Sequence, residues 1–309
     1  REKSWHNLTI SKQGIADILS DSSWYRLYFP ETSLSPQNYN EVIILQQIPT
    51  ELLRRFTEKY YNYCKKSFIE PRLELRELTR DDDNLPAEEQ YRIIVDGDDQ
   101  TLIRQIKNLK QEIISNKRDL IAVGDLKACN FDKHLFQPLF HVQRGGNITI
   151  LPIALGESEY QFVTDLKDWC EENKQKMESI GMELFLLRNL SRGKGVGFFE
   201  AGNFHPDFIL WILSRGKQYV HFIEPHGLMY EGINSPKIQF HKTIKDIEAR
   251  LADPDVVLSS WILSWTPKKE LEIRGYDLDE YLKNNVVFME ETDEYINRVF
   301  QSEILVDRV

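Results

Sequence analysis

Two acidic residues stand at matching positions on either side of a short turn, where they are well placed for chemistry. Two apolar runs typical of β-strands flank Arg215–Gly216. If these two residues form the turn of a hairpin, Ser214 pairs with Lys217. The same register then places Asp207 directly opposite Glu224. Directly opposed residues have Cβ atoms about 4.5–5.5 Å apart, so the sequence predicts a close pair of carboxylates.

Such a pair needs a positive partner, because two carboxylates repel each other and are costly to bury unpaired. Mg²⁺ takes oxygen ligands and keeps several waters, so one or two carboxylates and a substrate phosphate make a sufficient site. A bound cation of this kind activates water and stabilises the charge that develops on a phosphodiester. We therefore expect Asp207 and Glu224 to bind Mg²⁺, with Mn²⁺ as the other suitable ion.

The same register places two histidines near the acids, because His205 falls opposite His226. Two histidines and two carboxylates are also a ligand set for Zn²⁺ or Mn²⁺, which leaves a second interpretation of the metal site open. Taken alone, His205 is more typical of a ring that packs at the edge of a strand.

A third acid follows from helical periodicity. In the helix predicted over 159–173, Glu159 shares one face with four apolar residues, which are Phe162, Val163, Leu166 and Cys170. An acid at the start of such a stripe points toward the core or its rim, but it is equally suited to capping the helix N-terminus. Glu157 is the less favoured neighbour, and Glu200, which lies before the first hairpin strand, is a further candidate.

The pattern of acids resembles the PD-(D/E)XK nuclease superfamily. In that family a helix Glu, an Asp after Pro and the Glu of an acidic-x-Lys triplet bind Mg²⁺ on a central sheet that contains a hairpin. A longer stretch over 187–211, LRNLSRGKGVGFFEAGNFHPDFILW, is similar to the C-terminal nuclease part of type III restriction-like DEAD/DEAH-box helicase proteins. The segment 25–33, YRLYFPETS, resembles the part that precedes this nuclease.

The resemblance implies a Mg²⁺-dependent DNA endonuclease domain with a role in restriction or phage defence. Its metal ligands would be Asp207, Glu224 and the helix acid Glu159, and its substrate would be double-stranded DNA. It also implies an ATP-dependent helicase domain in the parent protein as a partner. The chain has no GxxxxGK[ST] phosphate-binding loop, so we expect that motor outside this chain.

One position departs from the family pattern, because His226 stands where the family has the Lys of the triplet. That Lys stabilises the developing charge or positions the attacking water. A histidine does the first when it is protonated and acts as a base when it is neutral. A nearby lysine is another solution, and the candidates are Lys194, Lys237 and Lys242. The remaining alternative is a catalytically degenerate nuclease fold that acts as a DNA-binding or docking module.

Positive charge is concentrated around the candidate site. A glycine-containing basic loop and the following helix suit contact with a phosphate backbone. The residues predicted to contact DNA are Arg188, Arg192, Lys194, Lys237 and Lys242. Residues 186–245 hold eight Lys and Arg against four Asp and Glu, although the whole chain carries a net charge of −10. The acidic total excludes a protein that coats nucleic acid by bulk charge, but it does not exclude DNA as a substrate.

The composition is that of a folded protein, with 309 residues of which 41% are hydrophobic and 28% are charged. It excludes a disordered or collagen-like chain. Three widely spaced cysteines without a CxxC motif predict a reducing compartment, and we expect the cytoplasm. No apolar run is long enough to predict a membrane span. The chain begins with Arg1 rather than Met, which is typical of a fragment of a longer protein.

The elements that must position these residues divide at Gly145–Gly146, which interrupts two apolar patterns. We predict an N-terminal α+β connecting region over 1–145, with a strand at 42–48 and a helix that begins at Thr50. Over 146–309, strands alternate with helices, which predicts an α/β fold with a mixed central sheet flanked by helices. The resemblance identifies this fold as a restriction-endonuclease-like core. Four tryptophans are interpreted as core or interface residues rather than base-stacking residues, namely Trp169, Trp211, Trp261 and Trp265.

Overall fold

The chain divides into two compact units, 1–77 and 78–309. The structure, a computed structural model, describes residues 35–69, 79, 82, 84–86, 91–115, 120–123, 126–142, 148–151, 153–190, 195–198 and 201–304. The described part of the first unit is mainly one helix of 31 residues, α1 (Tyr39–Ile69). The second unit has a mixed α/β architecture and contains the predicted site residues.

In the described part of the second unit, groups of strands are separated by helices. In order they are β1 (Arg92–Val95), α2 (Gln100–Ile114), β2 (Leu120–Val123), β3 (Leu126–Cys129), β4 (Leu139–Val142), β5 (Ile148–Leu151), α3 (Glu157–Glu172), α4 (Lys174–Ser179), β6 (Glu183–Arg188), β7 (Phe208–Ser214), β8 (Lys217–His226), α5 (Pro236–Leu251), β9 (Val256–Ser264), α6 (Lys268–Ile273), α7 (Leu278–Lys283), β10 (Val286–Phe288) and α8 (Thr292–Ile304).

A five-stranded mixed sheet in the order β10-β9-β8-β7-β6 is the centre of this unit. The strands β6, β7 and β8 are antiparallel neighbours, whereas β8, β9 and β10 run parallel. Arg215 and Gly216 turn the β7–β8 hairpin with φ angles of 53° and 77°, as a two-residue turn of this hand requires. The parallel return from β8 to β9 needs a crossover, which α5 provides.

Helices cover both faces of this sheet. Leu210 and Ile212 of β7 share one apolar core with α3 and α8, whereas Ile209 of the same strand packs in a second core with Phe240 and Ile244 of α5. Because successive residues of a strand point to opposite faces, the two cores lie on opposite sides of the sheet. The predicted α/β class with a mixed, helix-flanked sheet is therefore confirmed.

Strands that precede the predicted boundary at Gly145–Gly146 belong to the same unit as the strands that follow it. Cys129, Phe131 and Leu139 pack in the core between the sheet and α3. Backbone hydrogen bonds also join the regions, among them those from the N–H of Leu135 to the carbonyl of Leu186 (2.9 Å) and from the N–H of Leu155 to the carbonyl of Phe140 (2.7 Å). The division of the chain between residues 77 and 78 therefore differs from the cut drawn at 145.

The first unit contains the element that the sequence misassigned. Residues 42–48, predicted as a strand, lie inside α1, and this helix runs on through Pro49 and Thr50, where it was expected to begin. A short apolar run has no periodicity that separates a strand from a buried helical turn, which is the reason for the error.

Among the described residues, no helix has the length and apolar character needed to cross a membrane.

Candidate functional site

The two acids of the hairpin lie side by side, as the register predicts. Ser214 pairs with Lys217 and Phe208 pairs with Ile223, so the next pair outward brings Asp207 against Glu224. The backbone N–H of Asp207 donates to Oε2 of Glu224 at 3.1 Å. Glu224 is buried. A buried carboxylate beside a second one defines the centre of the candidate site.

A lysine from the following helix reaches this pair. Nζ of Lys237 lies 2.9 Å from Oε1 of Glu224. Lys237 stands in the first turn of α5, whose start is set by Ser235, because its hydroxyl accepts the N–H of Ile238, and by Pro236. Of the candidate lysines, Lys242 instead donates to Oε1 of Gln239, and Lys194 lies outside the described residues.

Glu159 has both of the roles that its position allows. Its Oε2 accepts the N–H of Gly156 at 2.8 Å and so caps the N-terminus of α3. Its Oε1 lies 2.8 Å from Nη2 of Arg188. Because Arg188 also contacts Asp207, this arginine links Glu159 to the acid pair. Glu157, in the same first turn, is exposed.

Arg188 joins Glu159 to Asp207, which differs from the predicted role of a DNA-contacting loop residue. It ends β6, and its Nη1 lies 3.3 Å from Oδ1 of Asp207 and 2.8 Å from the carbonyl of the same residue. Nη1 also donates to the carbonyl of Asn189 at 2.5 Å. The side chain is buried, so the guanidinium neutralises and holds the acids rather than presenting itself to a phosphate backbone.

The surroundings of Asp207 disfavour its ionised form. Burial, followed by the nearby Glu224, raises the pKa of Asp207 to about 8, although Arg188 and Lys237 act in the opposite direction. These two cations therefore do not offset the cost of burying this carboxylate beside Glu224, and an additional cation would stabilise its ionised form. Carboxylate oxygens are the donors that a hard divalent ion prefers.

His226 is near the acids but is not a substitute for a positively charged lysine. Burial, followed by Lys237, lowers the pKa of His226 below its ordinary value, which favours the neutral imidazole at neutral pH. Its Nε2 lies 3.8 Å from Oε1 of Glu231. A neutral ring suits hydrogen bonding to water or proton acceptance rather than charge stabilisation.

The ring of His205 packs against Gly197. A Cβ atom added at Gly197 would lie 2.2 Å from Cε1 of the His205 ring, so the ring rests directly on the backbone of that glycine. Within the described parts of the chain, no group of three or more His, Cys, Asp and Glu side chains is placed to hold a metal ion. The arrangement therefore offers no support for a Zn²⁺ site built from both histidines and both acids.

Three residues that sequence reasoning missed support the strand ends. Nε2 of His134 accepts the backbone N–H of Arg188 at 2.8 Å. The Asn189 amide bonds the backbone of Val196 and Pro206, and Oδ1 of Asn84 accepts the N–H of Leu190. His134 and Asn84 come from the predicted connecting region over 1–145, and no local pattern marks either of them.

The remaining predicted site residues, Glu200, Arg192 and Lys194, lie outside the described residues, as does the segment 25–33.

Comparison with known proteins adds no relative to this description. No protein-family model, curated protein or solved structure matches the chain. The functional interpretation therefore rests on the residues and the geometry of the chain itself.

Proposed function

We propose that this chain is a Mg²⁺-dependent DNA endonuclease domain that hydrolyses phosphodiester bonds. The observation that carries the proposal is the contact between Asp207 and Glu224, which the hairpin register brings together at one end of the sheet. Glu159 is linked to the same end through Arg188. An Asp and a Glu on paired strands, with a helix Glu beside them, agree with the acid pattern of the PD-(D/E)XK nucleases.

The donor set fits a hard divalent cation, either Mg²⁺ or Mn²⁺. Asp207 and Glu224 would ligate it, whereas Glu159, which binds Arg188 and the N–H of Gly156, would reach it only through water. A bound cation would lower the pKa of Asp207, which burial and then the neighbouring Glu224 raise, and would so favour the ionised form that binds a metal. When bound, the ion activates a water molecule and stabilises the charge that develops on the phosphate.

Lys237 is the residue that best supports activity despite the departure at His226. Its ammonium group lies on Glu224, so a phosphate bound at the acid pair would be within its reach. A fixed positive charge at this point stabilises the developing negative charge of the transition state. Neutral His226 contributes hydrogen bonding to the attacking water.

The wider setting follows the resemblance of the sequence stretch 187–211. We infer a restriction-endonuclease-like core, a restriction or phage-defence role in the cytoplasm, double-stranded DNA as substrate and an ATP-dependent helicase domain as partner. Lys242, which is exposed on the same helix as Lys237, supports contact with the DNA backbone. Arg192 and Lys194 belong to the same proposal on sequence grounds.

The test is the conversion of supercoiled plasmid in the presence of Mg²⁺ or Mn²⁺. The variant Asp207→Asn keeps the size of the side chain but removes its charge, and we expect it to abolish metal-dependent nicking. Asp168→Asn is the matched control, because Asp168 is exposed on α3, and it should cleave like the unmodified protein. Equal cleavage by Asp207→Asn and the control protein would exclude the assignment.

A second candidate, a non-catalytic DNA-binding or docking module on the same fold, is favoured by one observation. Arg188 and Lys237 already pair with the acids, as expected for a site that has replaced its metal by side-chain cations. Calorimetric titration with Mn²⁺ separates the candidates. Binding that is lost in Asp207→Asn supports the nuclease, whereas no measurable heat in either protein supports the module.

A further inference from the structure

Two large aromatic side chains are exposed near the acid pair. The side chain of Trp265 follows β9 and is 44% exposed, and Tyr230, in the loop after β8, is 89% exposed. By contrast, Trp169 of α3 is 7% exposed. Of the two alternatives in its interpretation as a core or interface residue, the exposure of Trp265 therefore agrees only with the second. A single exposed ring is ordinary on a protein surface, so the position of these two rings relative to the candidate site decides what they indicate.

Both aromatic residues are connected to His226 at the end of β8. The backbone N–H of Trp265 donates to the carbonyl of His226 at 3.0 Å. Tyr230 directly precedes Glu231, whose carboxylate lies 3.8 Å from the His226 ring. His226 is two residues beyond Glu224 on the same strand, so both residues are connected to the end of the sheet that carries the acids. We call Tyr230 and Trp265, together with Arg274 beside Tyr230, the aromatic rim.

Positive charge accompanies these rings. The Arg274 guanidinium lies over the Tyr230 ring, 5.9 Å from its centroid, and Arg274 is itself exposed. Lys237 binds Glu224, which stands two residues before His226 on β8. Exposed aromatic rings interspersed with cations are the combination that binds single-stranded nucleic acid, because bases stack on the rings while the cations attract the backbone.

We propose that the aromatic rim stacks unpaired bases of the strand that carries the scissile phosphate. In a continuous duplex the faces of each base are covered by neighbouring base pairs, so only unpaired nucleotides can offer a face to Trp265 or Tyr230. The substrate class is then DNA with a single-stranded segment, such as a fork, flap or frayed end, rather than uninterrupted duplex. This inference rests on the proposed nuclease function, whose substrate it makes more specific.

The experiment measures binding without catalysis, by fluorescence anisotropy of a labelled oligothymidylate in EDTA. We expect Trp265→Ala to weaken binding at least about fivefold and Trp265→Phe to retain most of it, because stacking on a ring is worth this much per base. Tyr230→Ala should weaken binding in the same direction. Phe185→Ala is the matched control, since Phe185 is an aromatic residue of similar exposure (38%) on β6, an edge strand that contributes no residue to the rim.

The same titration with a blunt hairpin duplex should show weaker binding and no dependence on Trp265. An oligouridylate of equal length reports whether RNA is bound through the same stacking. Equal affinities of Trp265→Ala and Phe185→Ala for the oligothymidylate, or a preference for the blunt duplex, would overturn the proposal. Plasmid cleavage that remains normal in that case leaves the nuclease assignment standing, whereas Trp265-dependent binding without cleavage of either supercoiled plasmid or a forked duplex in Mg²⁺ removes the nuclease and retains the rim.

Discussion

The two carboxylates of the acid pair have different cationic neighbours. On one side, which we call the closed side, Asp207 and Glu159 pair with Arg188, whose side chain is 8% exposed. On the other, the open side, Glu224 pairs with Lys237, whose side chain is 32% exposed. The closed side is also bound by backbone carbonyls, because Arg188 donates to Asn189 and Asp207.

From this difference we expect Arg188 to support the structure of the site and Lys237 to act in the reaction. Removal of the Arg188 guanidinium would leave two partly buried carboxylates and two carbonyl groups without their partner. Arg188 therefore fixes the geometry of the site. Lys237 makes one ion pair, with Glu224, and water has access to it. We expect the ammonium group to leave Glu224 when a phosphate oxygen or a metal ion binds. We therefore expect substrate to approach from the open side, with the metal ion between Asp207 and Glu224.

The largest expected effect tests the closed side. Arg188→Met should lower the free energy of unfolding by about 3–5 kcal/mol, because removing one partner of a buried ion pair leaves the others uncompensated. Urea denaturation followed by circular dichroism measures this change. Arg298→Met is the control, since Arg298 pairs with Glu294 at 2.6 Å on the surface of α8. Its loss should remain below about 1 kcal/mol, and equal losses in the two variants would contradict the distinction.

The next effect tests the open side. Lys237→Met should reduce the rate of Mg²⁺-dependent plasmid cleavage about 100-fold, because one electrostatic contact to the transition state is lost. Its free energy of unfolding should fall by less than in Arg188→Met, since solvent takes the place of the ammonium group. Lys245→Met is the control, because Lys245 is exposed on the same helix and pairs with Glu248. Unchanged cleavage in Lys237→Met would remove this lysine from the mechanism.

The smallest effect is a pH dependence of stability in metal-free protein. The pKa of Asp207 is raised to about 8 by burial and Glu224, so the folded state keeps a proton that the unfolded chain releases near pH 4. The corresponding stability is fully present below that ordinary value and is lost as the pH rises through about 8, with a slope of at most about 1.4 kcal/mol per pH unit.

Thermal denaturation in EDTA tests this between pH 6.5 and 8.5. The Tm of the unmodified protein should fall with rising pH, and Asp207→Asn should flatten that fall. Below this window His134 contributes the opposite slope, because burial lowers its pKa to about 4 and stability is lost as the pH falls from 6.5 toward that value. A Tm that depends on pH in the same way in both proteins would show that Asp207 is not the titrating group.

The acid pair could be predicted because its geometry is local. A two-residue turn at Arg215–Gly216 sets the register of both strands, and the alternation of a strand then fixes which residues share a face. The start of α5 has an equally local signal, since Ser235 caps the helix and Pro236 stands in its first turn. Residues 42–48 lacked such a signal, and their assignment as a strand was wrong.

The sequence by itself therefore determined the opposition of Asp207 and Glu224 and the candidate cations around them. Tertiary structure decided which cation serves which acid, because Lys237 reaches Glu224 only where the start of α5 lies against the end of β8. It also buried Arg188 between elements far apart in the chain and brought His134 and Asn84 to the same strand ends. Local patterns encode turns, caps and faces, whereas partners separated by many residues are chosen only when the layers pack together.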